Sequence, residues 1–229
     1  VIGVIIPAHN EAECIQACLA SIGAAIAHPK LHERVQVIVA VDRCCDATAA
    51  IAMSMGAVIV EVAAPGGVGA ARAAAAAKAL ELGADWLAVT DADSRVPDDW
   101  LVGQRNTGAD AFCGIVEVED WLDFPDAVRL AFAHTQARGV GHGRIHGANM
   151  GVSAAMYSKC GGFPLLGCNE DVGLIRALEA QCARIAWASE PVVWTSARRS
   201  ARARGGFADF LKTLEAAQMP TLNASTQPV

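Results

Sequence analysis

The segment Trp86-Leu87-Ala88-Val89-Thr90-Asp91-Ala92-Asp93-Ser94 runs from an apolar stretch into two carboxylates one residue apart. The apolar part suits a strand covered on both faces, as in a parallel sheet. Continued at period two, that strand would put Asp91 and Asp93 on one face; ending here, it would let both turn toward one hard cation. A bare Asp-x-Asp more often marks a solvated turn, because Asp favours turns. The chain around it therefore decides the reading.

Upstream, residues 1–6 are β-rich and stop at Pro7, and Asn10 can cap a helix running to about Ala27. A second apolar run over 35–41 ends at Asp42, and Asp46-Ala47-Thr48 opens a helix that closes at Gly56. Residues 57–62 form a third strand, Gly66-Gly67-Val68-Gly69 leads into an Ala-rich helix over 70–82, and 84–90 make the fourth strand. Strands alternating with helices at this spacing predict a doubly wound, mainly parallel α/β sheet with helices on both faces. Ligands of such sheets bind at the carboxyl ends of the strands. Residues 7–11, Asp42, the glycine loop before Arg72, and Asp91 to Asp93 then gather at one edge.

Beyond Pro97 the rhythm loosens. Asp98 and Asp99 read as first-turn acids of a short helix, 111–118 as a strand, 126–138 as a helix and 139–143 as a Gly-rich loop. Gly147-Ala148-Asn149-Met150-Gly151-Val152-Ser153 is a small-residue strand that allows close approach to its backbone. Asn169-Glu170-Asp171 opens a helix to about Cys182, a strand pair follows near 185–188 and 192–194, and a last helix covers 207–217. Arg198, Arg199, Arg202 and Arg204 share a segment, 196–206, that has no acidic residue. The organisation expected is one domain over 1–218, with 1–95 its nucleotide-binding half, 96–218 its acceptor half, and 219–229 a flexible tail.

With 229 residues, 53% hydrophobic and 18% charged, the chain has a globular composition. A net charge of -6 argues against bulk nucleic-acid binding, and no apolar run reaches the ~18–20 residues of a membrane span. Residues 1–6 lack the basic flank of a signal peptide, and eight cysteines without a Cys-x-x-Cys pair suit free thiols, so a cytoplasmic location is expected.

Val4-Ile5-Ile6-Pro7-Ala8-His9-Asn10-Glu11, Asp42-x-Cys44-x-Asp46-x-Thr48, Asp91-Ala92-Asp93, Gly147-Ala148-Asn149 and Glu170-Asp171, in that order and spacing, resemble a family-2 glycosyltransferase of the GT-A fold. The resemblance covers residues 1 to about 195. It implies a three-layer α/β domain with a smaller, mixed β region on the acceptor side. It also implies an enzyme that moves one sugar from a nucleoside diphosphate donor, UDP- or GDP-linked, to a hydroxyl acceptor with inversion.

In that reading Pro7, Ala8, His9, Asn10, Glu11 and Asp42 hold base and ribose, and Arg72 approaches the phosphates. Asp91 and Asp93 carry Mg²⁺ or Mn²⁺ on the diphosphate, Asp93 being the more direct ligand, with Ala92 between them. Ala148 and Asn149 line the donor sugar, Asp171 is the base, and Glu170 orients the site or caps its helix. Arg198, Arg199 and Arg202 form a candidate lid over the diphosphate, while His142 and His146 are within reach of phosphate or acceptor. Arg43 stands where many relatives carry a second aspartate, and the six histidines all precede Asn149, so no late histidine completes the metal shell.

Two alternatives share an α/β sheet: a non-catalytic nucleotide-sugar binding protein, and a sugar-1-phosphate nucleotidyltransferase. The latter requires a Gly-rich, basic signature straight after the first strand, and Pro7-Ala8-His9-Asn10-Glu11 is not one. A Rossmann dehydrogenase is disfavoured because Arg72 occupies the third glycine position and the glycine loop follows the third strand.

Overall fold

A computed structural model of the chain describes residues 1–135, 141–200 and 205–218. Seven strands form one sheet in the order β3-β2-β1-β4-β7-β5-β8. They are β1 (Ile2–Ala8), β2 (Val35–Val41), β3 (Val58–Glu61), β4 (Trp86–Val89), β5 (Ala111–Cys113), β7 (Met150–Ser153) and β8 (Ile185–Trp187). All pairs are parallel except the two made by β7, which runs antiparallel between β4 and β5.

β1 carries Pro7 inside a central strand, where a missing N–H would ordinarily break a ladder. The Ile5 carbonyl accepts from Thr90 N on the β4 side and the Ala8 carbonyl accepts from Asp42 N on the β2 side. Pro7 shares the parity of Ile5, so its nitrogen faces β4, whose pairing with β1 has already ended at Val89. The proline therefore costs no ladder hydrogen bond to β4.

Helices cover both faces. One holds α1 (Ile15–Ile26), α2 (Thr48–Ser54) and α4 (Trp100–Asn106), which close over Ile2, Val4, Ile6 and Val39. The other holds α3 (Val68–Glu81), α6 (Ala154–Lys159) and α7 (Glu170–Ala180), which close over Ile5, Ile38, Leu87 and Val152. Ala71, Ala75, Ala76 and Ala79 make the buried stripe of α3, so that helix lies very close to the sheet. Gly3 permits it, because a β-carbon there would sit 2.6 Å from the Ala79 β-carbon.

A parallel two-stranded sheet, β6 (Val116–Val118) with β9 (Val193–Thr195), stands beside the large one. Against it α5 (Asp126–Thr135) and α8 (Phe207–Gln218) enclose a separate apolar cluster of Phe124, Val128, Phe132, Ala197 and Leu211.

Several local expectations are corrected. Asn10 does not cap the first helix: it adopts a left-handed φ of 54°, and α1 begins at Ile15 with Cys14 before it. The expected strand over 111–118 is two strands in two sheets, because the chain crosses between them at Gly114, whose N–H bonds the Asn149 carbonyl at 2.9 Å. For the same reason β8 and β9 are not a pair. Asp98 and Asp99 precede α4 instead of forming its first turn, and Gly147 to Asn149 lie in a turn before β7. Residues 136–138 of the expected fifth helix, the loop residues 139–140, and the tail 219–229 lie outside the described residues. No described helix is long and apolar enough to cross a membrane.

Candidate active site

The carboxyl ends of β1, β2 and β4, the turn before β7 and the start of α7 border a cleft of about 780 Å³. Six carboxylates (Glu11, Asp42, Asp91, Asp93, Glu170, Asp171) and four guanidiniums (Arg43, Arg72, Arg144, Arg198) line it among the described residues. Parallel strands deliver polar groups here because their inner residues are committed to the core and only the residues past the last ladder bond can turn outward.

β4 ends at Val89, so Asp91 and Asp93 project from a turn closed by Ser94 N to the Asp91 carbonyl at 3.1 Å, not from alternate strand positions. They therefore meet different cations. Asp91 Oδ1 is 2.5 Å from Arg72 Nη2, and Asp93 Oδ2 is 3.0 Å from Arg198 Nη2. Burial pushes the Asp93 carboxyl up to about 6; Arg198 opposes this while Asp91 and Glu11 add to it.

Arg72 is 3% exposed and also pairs through Nη1 with Glu170, itself 3% exposed. It reaches them past Gly147, where a β-carbon would collide with the guanidinium. Glu170 thus holds Arg72 in line with Asp91. Asp171 follows on α7: Gly147 N donates to its Oδ2 at 2.9 Å and Val172 N to its Oδ1 at 2.8 Å. Asn169 before it is left-handed, at φ 58°, and makes no side-chain cap.

At the other end Glu11 accepts from Arg198 Nη1 and Nη2, both at 2.6 Å. For Arg198, burial alone would lower the pKa, but the Glu11 hydrogen bonds and the charges of Asp93 and Glu11 raise it, so the cation is locked. Asp42 takes Arg43 Nε at 2.8 Å and Gly67 N at 2.8 Å. The Arg43 hydrogen bonds and the Gly67 N–H hold its carboxyl below the usual range against burial. Arg43 in place of an acid thus neutralises Asp42.

Pro7, Ala8 and His9 line the cleft; His9 Nδ1 lies 2.6 Å from the Asp42 carbonyl oxygen. Asn10 does not line it, since its Oδ1 accepts from Cys45 N at 2.8 Å and so braces the β2–α2 loop. Ala92 and Ala148 are on the wall. Asn149 is not: wholly buried, it donates from Nδ2 to the Ile115 and Pro191 carbonyls at 2.9 Å each and accepts from Trp100 Nε1 at 3.0 Å. Its amide is spent on joining the two sheets.

Of the described arginines of that segment, Arg198 borders the cleft and Arg199 does not. Arg199 turns away to Asp123 at 2.7 Å and Glu215 at 2.6 Å, stacking on Phe124, and Arg202 lies outside the described residues, as does Arg204. The sequence reading passed over Arg144, Thr195, Ser196, Phe207 and Phe210, which also border the cleft. For Arg144 a signal existed: a lone basic residue between glycines with no acid near it.

Among the described residues no group of three or more His, Cys, Asp or Glu side chains is arranged to hold a metal ion. Asp91 and Asp93 nevertheless fit part of a shell for a hard divalent ion. Their donors are all oxygen, and cleft carboxylates exceed guanidiniums by six to four among the described residues.

Sheet order, antiparallel β7 and a cleft at the carboxyl edge define a GT-A type α/β protein. The chain belongs to glycosyl transferase family 2, whose sequence model matches residues 3–150. Among solved structures it is similar to S. aureus TarS 1-349 in complex with UDP-GlcNAc, with TM-score 0.67, 16% identity, and coverage of 94% of this chain and 65% of that one. The mannosyltransferase PcManGT from Pyrobaculum calidifontis, in complex with GDP-Man and Mn²⁺, aligns with TM-score 0.64 at 18% identity, over 94% of this chain and 73% of that one. Glucosyl-3-phosphoglycerate synthase from Mycobacterium tuberculosis, with Mn²⁺, UDP and glucosyl-3-phosphoglycerate, aligns with TM-score 0.63 at 19% identity, over 94% and 76%. At these identities the likeness is one of fold, and the chain spans about two thirds (65%) of the TarS fragment. No curated protein matches the sequence.

Proposed function

We propose that the chain is a metal-dependent, inverting glycosyltransferase that moves one sugar from a UDP- or GDP-linked donor to a hydroxyl acceptor. The observation that carries this reading is the cleft arrangement of Asp171, held by two backbone N–H groups, beside the Glu170–Arg72–Asp91 chain. Residues 1–218 act as one domain in it, since both halves of the chain border the same cleft. The eight free cysteines fit a reducing, cytoplasmic compartment.

Pro7, Ala8, His9, Glu11 and Asp42 take the base and ribose, a carboxylate at a strand end being a natural acceptor for N–H and hydroxyl donors, while Asn10 braces the neighbouring loop. Arg72 and Arg198 grip the diphosphate, and Ala148 leaves room for the donor sugar. Asp93 and Asp91 would hold Mg²⁺ or Mn²⁺, which when bound supplies Lewis-acid stabilisation of leaving-group charge. That the mannosyltransferase and synthase structures are complexes with Mn²⁺ and a nucleotide or nucleotide sugar supports a divalent ion. Asp171 removes the proton of the acceptor hydroxyl as that oxygen attacks the anomeric carbon opposite the departing nucleotide; one displacement inverts the centre. Glu170 positions Arg72.

Release of UDP or GDP from UDP-glucose, UDP-GlcNAc and GDP-mannose is measured with Mn²⁺ and with EDTA. Turnover is expected only with the ion, and Asp171→Asn should lower it about 10²–10⁴-fold while donor binding persists. Full turnover in that variant would remove Asp171 from the role of base. Unchanged Mn²⁺-dependent UDP and GDP binding in an Asp91→Ala/Asp93→Ala variant would remove the metal assignment, and tight donor binding without turnover would favour a binding protein.

A further inference from the structure

Among the described residues, three of the four cleft arginines are already paired with carboxylates. Arg43 faces Asp42, Arg72 faces Asp91 and Glu170, and Arg198 faces Glu11 and Asp93. Arg144 has no carboxylate or hydrogen-bond acceptor for its side chain among the described residues, and its Nε is buried without a partner. Burial alone lowers its pKa, with no carboxylate near enough to oppose it. Two residues on, His146 Nε2 is likewise buried and unpartnered, and it too borders the cleft. A guanidinium nitrogen buried without a protein partner favours water or a ligand that completes it, and the rest of the fork stays open to the cleft.

The turn that carries both groups borders the cleft and is tied by hydrogen bonds to the neighbouring chain. Arg144 N donates to His142 Nδ1 at 2.9 Å, which leaves His142 Nε2–H to donate to the Ala188 carbonyl at 3.2 Å, and Gly141 N bonds the Trp187 carbonyl at 3.1 Å. These ties anchor it to the end of β8, the edge strand opposite β3. The groups assigned to nucleotide and diphosphate sit at the ends of β1, β2 and β4, on α3, and, for Arg198, after β9; the turn meets them at Gly147, beside Arg72. Three residues beyond Arg144, Gly147 N holds Asp171.

We propose that Arg144 and His146 form an oxyanion subsite for the acceptor, binding a carboxylate or phosphate borne by the molecule whose hydroxyl Asp171 deprotonates. This rests on the transferase reading above. The guanidinium fork matches either oxyanion in two parallel hydrogen bonds, and neutral His146 adds a third contact without charge. The acceptor class is therefore a small hydroxylated acid or phosphate ester, and a neutral polyol lacks the group that would complete Arg144.

Calorimetric titration with glycerate, glycerol 3-phosphate and glycerol tests this. At least one anion should bind the wild type about tenfold or more tightly than glycerol, and Arg144→Gln should remove that preference while Arg144→Lys keeps part of it. The tighter anion tells carboxylate from phosphate. Equal binding of glycerol, anion binding that survives Arg144→Gln, or a loss of UDP and GDP binding in its place would overturn the subsite. Should Arg144→Gln not fold, Arg144→Lys and the His146 C2–H resonance of the wild type decide; a resonance unmoved by either anion refutes it. Asp171→Asn, which leaves Arg144 and His146 in place, should keep the preference for the anions over glycerol. Turnover retained in that variant would sink the base assignment and leave the anion result standing, whereas failed anion binding leaves the dependence on Asp171 intact.

Discussion

Arg198 donates from both terminal nitrogens to both oxygens of Glu11, at 2.6 Å each, across 187 residues of chain. The same guanidinium reaches Asp93 Oδ2 at 3.0 Å. One side chain after β9 thus closes the turn after β1 and the turn after β4 together, in a forked geometry that an ammonium cannot copy.

Arg198→Ala should therefore destabilise the free protein by about 2 kcal/mol in urea unfolding, the scale of charged hydrogen bonds lost from a partly buried site. Arg198→Lys should recover less than half of that. A change within the ~0.5 kcal/mol of ordinary surface substitutions would mean that the fork contributes only local order.

Asn149→Leu keeps volume but strips three buried partners, the Ile115 and Pro191 carbonyls and Trp100 Nε1. Each stranded group costs about 1–3 kcal/mol, so a loss of about 3 kcal/mol or more is expected, read from urea or thermal unfolding. Were Asn149 instead a sugar contact, the variant would keep its stability and lose donor affinity.

Stability should fall in mild acid through His146. Burial, with Arg144 and His142 adding to it, lowers its pKa from 6.5 to about 4. Between those values the unfolded chain binds more protons than the native one, so stability is full above pH 6.5 and declines as pH falls toward 4, at no more than about 1.4 kcal/mol per pH unit from this group. Melting temperatures at pH 7.5 and pH 5, compared with His146→Gln, isolate the contribution; an identical slope in the variant would assign the acid sensitivity elsewhere.

Local chemistry made much of the fold readable. The apolar runs before Pro7, Asp42 and Asp91 are too short for helices and too continuous for a half-solvated sheet, which leaves buried parallel strands. The Ala-rich stretch after Gly69 is helical by propensity and lies close to the sheet because its buried side chains are methyls. Less readable were the boundaries. Asn10 has the composition of a helix cap, yet its side chain is drawn to Cys45 N from another loop. At Gly114 the chain leaves one sheet for another, a move set by the buried Asn149 amide that no period in the sequence records.

The sequence by itself determined the alternation of strands and helices, and hence the sheet edge at which Glu11, Asp42, Asp91 and Asp93 emerge, since that follows from periodicity and chain direction. Only the tertiary structure decided which charges meet. It gave Asp91 to Arg72, Glu11 and Asp93 to Arg198, and Arg199 to Glu215, and it left Arg144 without a carboxylate among the described residues. Pairing depends on distances of a few ångströms between groups up to 187 residues apart, and such distances exist only once both sheets and their helices have packed.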